Sequence, residues 1–429
     1  MAKESKSRDR AVGTGRFGAP GLAFTAVVVC AVTACAPAES VPSADPVVKK
    51  IEGAPTASAT PVAHSDVASD TPATTLSSLH GAIALGTSGG LFTSTLADDP
   101  PAAVPLVPDD GGPTTTGAVD VVARRSGGGL LVHAASGLFH DTEGFLVPSP
   151  LEKSLAGKPI VAIDALGEGS AEELWMATSA SAIHVGAGKI ETFDVEGATA
   201  PADAAIGVGP GQAVISAGGE AFFVDITAST VTLLAKGLGK VHGHDRSEDS
   251  TVYLATDAGL FSRDKSGVVS IRTLAAAGAA PVPVLGVAAS FGAVMVITAS
   301  SLVRIEAAGA TTIGALTGGA SALAIDANGD VWTAVAAKLT RFATGSKVSF
   351  ATDVMPFFAK HCDTCHGAGL NYAPMDNFLS YATAKERSAI ILKRLSGDGA
   401  PVMPPATREV LTPSDYAVVT RWVGGGQQP

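Results

Sequence analysis

Residues 83–92 read IALGTSGGLF, a short apolar run followed by a turn of small residues and a second apolar pair. The same unit returns at residues 130–139 as LLVHAASGLF and at residues 252–261 as VYLATDAGLF. Apolar runs of four to six residues separated by glycine-containing turns are typical of short antiparallel strands. The unit therefore predicts a chain made of repeated small β-sheets.

The period of this unit indicates how the sheets are arranged. The second apolar pair recurs at intervals of 37 to 47 residues, at Leu91, Leu138, Ile183, Phe222, Leu260, Leu302 and Leu339. A propeller blade of four strands needs about 40–45 residues, and blades around an axis bury both sheet faces. We predict a mainly β fold, an about seven-bladed β-propeller over residues 79–349. Six or eight blades stay open, because the first blade lacks a clear preceding strand unless residues 348–350 complete it.

Two polar clusters in this region allow a metal-binding alternative. Asp326, Asn328 and Asp330 surround an Asn-Gly pair, and we interpret them as a hairpin turn because the residue order of a calcium-binding EF-hand loop is absent. His242 and His244 stand beside an aspartate and an arginine. We interpret this His-x-His pair as part of a solvated loop, with metal binding as the alternative.

A different chemistry appears near the C-terminus, where Cys362, Cys365 and His366 form a C-x-x-C-H run. This spacing is the one used to attach haem c through two thioether bonds and to supply its iron with a histidine. On a helix the two sulfurs stand at i and i+3, on one face. The motif therefore predicts one covalent haem c, held by Cys362 and Cys365 with His366 as a ligand of the metal.

Other uses of a C-x-x-C pair demand partners that this sequence does not offer. A zinc knuckle needs four ligands, and a thioredoxin-type dithiol needs a βαβ setting. Cys362 and Cys365 are the only cysteines beyond position 35. Haem attachment is the interpretation that fits the motif and its surroundings.

The second iron ligand is expected from the opposite side of the haem. Met403 is the best candidate, because the prolines of the flanking APVMPP segment, residues 400–405, favour an extended loop that presents the thioether. Met375 follows His366 by only nine residues, and Met355 precedes the motif. We predict that Met403 is the second protein ligand of the haem iron. The alternative is that Met403 is apolar filler, which is common for a loop methionine.

Residues 350–429 resemble a small class I cytochrome c domain of the kind found at the C-terminus of exported bacterial proteins. The resemblance rests on Phe358 to His366, on Met403-Pro404-Pro405 and on the closing segment Tyr416 to Gly425. It implies an all-α domain that carries one haem and transfers electrons. Flanking helices are predicted over residues 353–360 and from Thr412 to Trp422.

The N-terminus predicts export. Five Lys and Arg residues precede an apolar run over residues 22–34 that is short for a membrane span, so residues 1–34 are predicted to be a signal peptide and the mature chain to lack a transmembrane helix. The end of this run resembles the lipobox of bacterial lipoproteins, which implies that Cys35 carries a lipid. Plain cleavage with an incidental Cys35 is the alternative. Residues 35–78, rich in Ala, Pro, Ser and Thr, are predicted to be a flexible tether.

The net charge of the chain indicates which classes of partner it can bind. Without residues 1–34 the chain has 24 Lys and Arg against 38 Asp and Glu, a net charge of −14. Such a surface disfavours nucleic acid and could steer a basic redox partner protein. The expected location is the bacterial cell envelope, on the periplasmic side or outer membrane, with a lipid anchor.

Two functions of different classes stay open. In the first, the chain is an electron carrier that is not an enzyme, and its propeller is a docking or scaffold module that resembles other envelope propellers. In the second, the propeller resembles a quinoprotein-type dehydrogenase that passes substrate electrons to the haem, which would make the chain an oxidoreductase. A haem gas sensor is a further possibility, and it would need an easily displaced sixth ligand.

Overall fold

A computed structural model describes most of the chain beyond residue 47. The described residues are 48–58, 64–68, 72–79, 82–95, 102–104, 116–125, 129–142, 145–149, 151, 155, 159–167, 172–179, 181–186, 189–193, 202–247, 249–275, 280–290, 293–307, 309–316, 318–326, 329–336, 338–344, 348–366, 377–396, 401–405, 408, 411, 416–424 and 427–429.

Thirty strands in this part of the chain form seven sheets, which we number as blades 1 to 7 in chain order. The first three strands precede the repeats and are β1 (Lys49–Gly53), β2 (Thr56–Ala57) and β3 (His64–Ala68). Blade 1 contains β4 (Ala73–Leu79), β5 (Ala82–Thr87), β6 (Gly90–Thr95) and β7 (Ala102–Ala103). Blade 2 contains β8 (Val119–Arg124), β9 (Leu130–Ala134), β10 (Gly137–Thr142) and β11 (Phe145–Pro148). Blade 3 contains β12 (Ile160–Leu166), β13 (Glu173–Thr178), β14 (Ala182–Gly186) and β15 (Lys189–Phe193).

The remaining four blades follow the same order. Blade 4 contains β16 (Ala202–Gly209), β17 (Gln212–Ala217), β18 (Glu220–Asp225) and β19 (Thr230–Ala235). Blade 5 contains β20 (Val241–Arg246), β21 (Val252–Thr256), β22 (Gly259–Arg263) and β23 (Val269–Leu274). Blade 6 contains β24 (Gly286–Ser290), β25 (Ala293–Ile297), β26 (Ser301–Ile305) and β27 (Ala310–Ala315). Blade 7 contains β28 (Ala322–Ile325), β29 (Val331–Val335) and β30 (Lys338–Phe342).

The seven sheets close into a ring. The first strand of each blade contacts the first strand of the next blade, and β28 of blade 7 contacts β4 of blade 1. These first strands are therefore the innermost ones, next to the propeller axis. All seven predicted marker residues lie on the third strand of their own blade, so the fold is a seven-bladed β-propeller.

The strands β1 to β4 correct the predicted start of the propeller. β1 pairs in parallel with β23 of blade 5, β2 pairs in parallel with β27 of blade 6, and β3 pairs antiparallel with β30 of blade 7. The described strands β1, β2, β3 and β4 are thus part of the propeller sheets, although they fall almost entirely within residues 35–78, which were predicted to be a flexible tether. The backbone supplies these pairings, so small and polar side chains did not prevent them. Residues 35–47 lie outside the described part of the chain.

The completion of the ring also differs from the expectation for residues 348–350. Blade 1 has its own first strand, β4, and the missing fourth strand belongs to blade 7, where β3 fills it. Residue 348 onward leads instead into a helical region. An early strand that completes the last blade links the two ends of the ring through backbone hydrogen bonds and leaves no open seam between the first and last blades.

Each pair of neighbouring blades shares one apolar cluster, which gives seven clusters around the ring. The cluster between blades 7 and 1, for example, joins Trp332 and Leu339 to Ile83 and Leu85. A single four-stranded sheet cannot bury both of its faces alone, and its neighbours do this for it. Packing between neighbouring blades therefore explains why the same apolar pattern recurs in every blade.

The turn between the second and third strands explains the repeated Thr and Gly residues. Thr256 ends β21, and its hydroxyl donates to the carbonyl oxygen of Gly259 at 2.8 Å. Thr87 makes the same bond to Gly90 at 3.0 Å. Gly259 has a φ of 125°, and a Cβ at this position would collide with the carbonyl oxygen of Arg272. Only glycine fits such a turn without strain.

Asp326 and Asp330 lie between β28 and β29, where the Gly329 N–H donates to the carbonyl oxygen of Asp326 at 2.8 Å; Asn328 lies outside the described residues. The buried Asp326 carboxylate accepts a hydrogen bond from the Asp330 N–H at 3.0 Å and another from the Trp332 indole N–H at 2.8 Å. Arg341 donates to Asp330 at 2.7 Å. Burial raises the pKa of Asp326 above its usual value. These contacts favour the predicted turn over a calcium loop.

The C-terminal residues form a small helical region. Its elements are a π-helical turn (Phe350–Val354) and four helices, α1 (Met355–His361), α2 (Asp363–His366), α3 (Tyr381–Ser396) and α4 (Ala417–Gly424). The first predicted helix is present and begins earlier, at Phe350, where the Ser349 hydroxyl caps it by accepting the Thr352 N–H. The closing helix reaches Trp422 as predicted, while Thr412 lies outside the described residues.

An aromatic and aliphatic cluster holds these helices together. Phe358 of α1 and Trp422 of α4 are both fully buried in it, and Ile391 and Leu395 contribute the apolar face of α3. The Trp422 indole N–H donates to the carbonyl oxygen of Gln428 at 2.7 Å. Across the described residues, no helix has the length and apolar character needed to cross a membrane.

Candidate functional site

Cys362, Cys365 and His366 lie on one helical turn at the end of α1. The backbone N–H groups of Cys365 and His366 both donate to the carbonyl oxygen of Cys362, at 3.1 and 2.9 Å. This turn continues from α1, because the Cys362 N–H donates to the carbonyl oxygen of Phe358 at 2.9 Å. The two cysteines are half-buried and are not joined in a disulfide. The structure thus brings the three predicted residues together on one short segment with the i, i+3 spacing of the sulfurs.

The same turn lies against the apolar cluster of the helical region. Cys362 packs on this cluster, and the ring of His366 stacks near Phe378 with 4.6 Å between ring centroids. Phe378 in turn contacts Phe358, with 5.7 Å between ring centroids. The imidazole and one thiol therefore face apolar surface, which is the environment that a flat macrocycle requires on its sides.

Met403 occupies a separate loop after α3. Its N–H donates to the carbonyl oxygen of Arg394 at 2.8 Å, and the Arg394 guanidinium donates to the carbonyl oxygen of Pro401 at 3.3 Å. The end of α3 therefore anchors this loop through its backbone. The Met403 side chain is 37% exposed and the neighbouring Val402 is 46% exposed. The thioether is thus presented at the surface of the helical region.

Two other predictions concern the lipid on Cys35 and metal binding by other side chains. Cys35, the predicted lipidation site, lies outside the described residues. Within the described ranges, no three His, Cys, Asp or Glu side chains cluster closely enough to hold a metal ion.

The propeller contributes a second candidate site, a cavity of about 230 Å³ on its axis. Residues from the innermost strands of blades 1, 2, 3, 5, 6 and 7 line it. Its polar lining is Ser77, Arg124, Arg125, Asp164, His244, Asp245, Arg246, Ser247 and Ser290. The charged groups come mainly from blades 2, 3 and 5.

Blades 3 and 5 meet through an ion pair at this cavity. The Nη2 atom of Arg246 lies 3.4 Å from Oδ1 of Asp164 and donates to the carbonyl oxygen of Ala165 at 2.8 Å. The other oxygen of Asp164 accepts the Gly207 N–H of blade 4 at 2.8 Å. Desolvation lowers the pKa of His244 below its usual value, with Asp164 acting in the opposite direction. His244 is therefore neutral at pH 7.

The position of the two histidines corrects the prediction of a solvated loop. Both lie on strand β20, where Nε2 of His242 is 2.7 Å from Oδ1 of Asp257 and His244 faces the axial cavity. The polar character of the segment had suggested a loop. It arises because the innermost strand of a propeller lines a polar channel, so its side chains need not be apolar.

The cavity residues Arg124, Asp164 and Arg246 were missed as candidate site residues. One signal could have found two of them. Arg124 and Arg246 are each the last residue of the innermost strand of their blade, so aligning the repeats on their third-strand markers would place both arginines toward the same end of the axis. The helix α3, which anchors the Met403 loop, was also not predicted.

Comparisons with known proteins support the β-propeller fold and give no information about function. No protein-family model and no curated protein matches the chain. Among solved structures, an extracellular domain described as part of a hybrid two component system from B. thetaiotaomicron aligns with a TM-score of 0.52 and 11% identity, over 71% of this chain and 41% of that chain. A streptogramin B lyase aligns with a TM-score of 0.50 and 12% identity, over 66% of this chain and 97% of that chain. At such identities the likeness shows the fold alone.

Proposed function

We propose that the chain is a haem c electron-transfer protein of the bacterial cell envelope. The observation that carries the proposal is the turn with Cys362, Cys365 and His366, in which two cysteines one helical turn apart stand next to an imidazole. This donor set is the one that covalent haem attachment requires. No other motif in the chain brings two thiols together.

The surroundings of the turn fit a bound haem. Cys362 and His366 face the apolar cluster of the helical region, and Met403 offers a second, soft ligand from the loop after α3. When bound, haem c supplies one-electron chemistry between ferric and ferrous iron. The thiols of Cys362 and Cys365 would hold the group, and His366 and Met403 would be the iron ligands. The turn of α2 would orient the imidazole, and the aromatic cluster would exclude water.

Within this proposal the propeller is a docking or scaffold module, and the net charge of −14 without residues 1–34 favours a basic redox partner protein. The dehydrogenase alternative requires the axis to hold an organic cofactor together with a substrate. The axial cavity of about 230 Å³ is smaller than the roughly 300–1,000 Å³ of ordinary ligand pockets. We favour electron carriage, because it needs no group beyond the haem that the C-x-x-C-H motif predicts.

Covalent attachment is tested by expressing the full chain with a bacterial cytochrome c maturation system. We expect a denaturing gel to retain haem peroxidase staining at the mass of the chain, and the reduced spectrum to show a c-type haem at one per chain. The double substitution Cys362→Ser with Cys365→Ser should remove both signals, while Cys35→Ser should retain them. A colourless wild-type protein with two titratable thiols would end the proposal.

Ligation by Met403 is tested separately with a methionine of equal exposure as the control. Met403 is 37% exposed and Met355 is 38% exposed, and both belong to the helical region. We expect Met403→Ala to abolish the sulfur-to-iron charge-transfer band in the red part of the visible spectrum and to lower the reduction potential, because a thioether favours ferrous iron. Met355→Ala should leave both unchanged. If the band persists in Met403→Ala, another residue is the ligand.

The lipid anchor at Cys35 rests on the sequence alone. We expect the wild-type chain to partition with bacterial membranes and to incorporate labelled palmitate, and Cys35→Ser to remain soluble and unlabelled. Membrane association that is unchanged in Cys35→Ser would contradict the anchor without affecting the haem.

A further inference from the structure

The axial cavity of the propeller contains hydrogen-bond donors that the chain itself does not use. The Nε atom of Arg246 is buried, and no described residue provides an acceptor for it. Arg124, the last residue of β8, lines the cavity, is exposed and forms no ion pair with any residue that the structure describes. A buried cationic N–H without an acceptor indicates an occupant that is itself an acceptor.

The acidic residues around the cavity already receive donors from the backbone. The two oxygens of Asp245 accept the N–H groups of Arg246 and Ala289, at 2.8 and 2.7 Å. Asp164 accepts from Gly207 and pairs with Arg246. Since these carboxylate oxygens already accept hydrogen bonds, no described residue of the lining offers an acceptor to the Nε–H of Arg246.

A third arginine of the lining, Arg125, has a guanidinium group that is paired with a carboxylate. The Nε and Nη2 atoms of Arg125 donate to the two oxygens of Glu172, each at 2.7 Å. This bidentate pair also raises the pKa of Arg125. Arg124 and Arg246 belong to blades 2 and 5, which are not neighbours, so one occupant on the axis is positioned to face both.

The volume limits the occupant. At about 30 Å³ per water molecule, a cavity of about 230 Å³ has room for roughly eight waters. A dicarboxylate of four carbons or a phosphate ion with its waters is of this size. A nucleotide or an aromatic cofactor is larger.

We propose that the propeller axis binds a small carboxylate or phosphate anion through the guanidinium groups of Arg124 and Arg246. Arg246 is held in place by Asp164 and by the carbonyl oxygen of Ala165, so its Nε–H is already oriented before an anion enters. Because His244 is neutral at pH 7, the arginines are the cations that line the cavity. This site is independent of the haem.

The test is calorimetric titration of the purified full chain with succinate, with inorganic phosphate and with succinamide, the neutral isostere of succinate. We expect at least one anion to bind and succinamide to bind at least about tenfold more weakly, since hydrogen bonds from a guanidinium to a charged acceptor are among the strong ones. The two anion arms distinguish a carboxylate site from a phosphate site.

Three substitutions test whether the anion binds in the axial cavity. Arg124→Gln removes an exposed side chain and should weaken binding of the anion about tenfold or more. Arg246→Lys keeps the positive charge beside Asp164 but removes the Nε–H, and it should weaken binding while thermal unfolding shows a folded propeller. Lys189→Gln removes one exposed positive charge on the outer strand of blade 3 and should change the affinity less than about twofold. Absence of binding by both anions, equal binding of succinamide, or unchanged affinity in Arg124→Gln would each overturn the proposal.

Discussion

The propeller and the helical region use methionine in opposite ways. Met176 and Met295 of the propeller are fully buried between neighbouring blades, whereas Met355 and Met403 of the helical region are more than a third exposed. In the propeller the thioether is a core side chain that fills irregular space. In the helical region it is kept at the surface, where it is available to something outside the polypeptide core.

The difference extends to how each region builds its core. The propeller distributes its apolar residues over seven similar clusters, one at each contact between blades. The helical region has one aromatic cluster, and the turn with Cys362 and Cys365 lies at its margin. We expect the loss of one buried contact to be felt throughout the helical region, because that region has a single cluster.

The largest effect is expected for Phe358→Ala in the helical region. Phe358 is fully buried at the centre of the cluster, and its truncation should lower the free energy of unfolding of this region by about 3–5 kcal/mol. Hydrogen exchange measured by mass spectrometry should become faster over residues 350–429 and stay unchanged in the propeller. The matched control is Phe145→Ala on β11, where the side chain is 46% exposed and the change should stay within about 0.5 kcal/mol. Equal effects of the two variants would contradict the comparison.

A smaller effect is expected for Gly259→Ala in the propeller. The new Cβ would meet the carbonyl oxygen of Arg272 at a φ of 125°, and the strain should cost about 1–3 kcal/mol. Urea unfolding followed by tryptophan fluorescence would measure the loss. Gly53→Ala on β1, where nothing lies within 4 Å of the added Cβ, should change stability by no more than about 0.5 kcal/mol. A midpoint shift no larger than that of Gly53→Ala would show that the turn accepts a side chain.

The smallest effect is expected from the titration of His244. Desolvation lowers its pKa in the folded chain, so below about pH 6.5 the unfolded chain takes up a proton that the folded chain refuses. The free energy of unfolding should therefore fall as the pH decreases from 7 toward 5, by at most about 1.4 kcal/mol per pH unit for one proton. Chemical unfolding at several pH values should show a weaker slope in His244→Gln. A wild-type slope in His244→Gln would exclude the His244 imidazole as its source.

Sequence patterns predicted the parts of the fold that depend on local rules. The seven markers all fall on third strands because each blade needs an apolar strand at the same position and a tight turn before it. The helices around the C-x-x-C-H motif were predicted from the spacing of Val354, Phe357 and Phe358, all of which are buried. The strands at 49–68 were not predicted, since β1 and β2 are largely exposed and pair through their backbone with strands more than 200 residues later.

By itself the sequence determined the repeated strand-turn-strand unit of the blades and the grouping of Cys362, Cys365 and His366 on one helical turn, because each of these features lies within a few residues along the chain and depends on turn geometry or helical spacing. The tertiary structure alone decided how the ring closes, through β3 on blade 7, and which charged groups meet on the axis. Asp164 and Arg246 are 82 residues apart and come from different blades. Only packing of the blades around one axis can place such residues beside each other, and no local pattern records it.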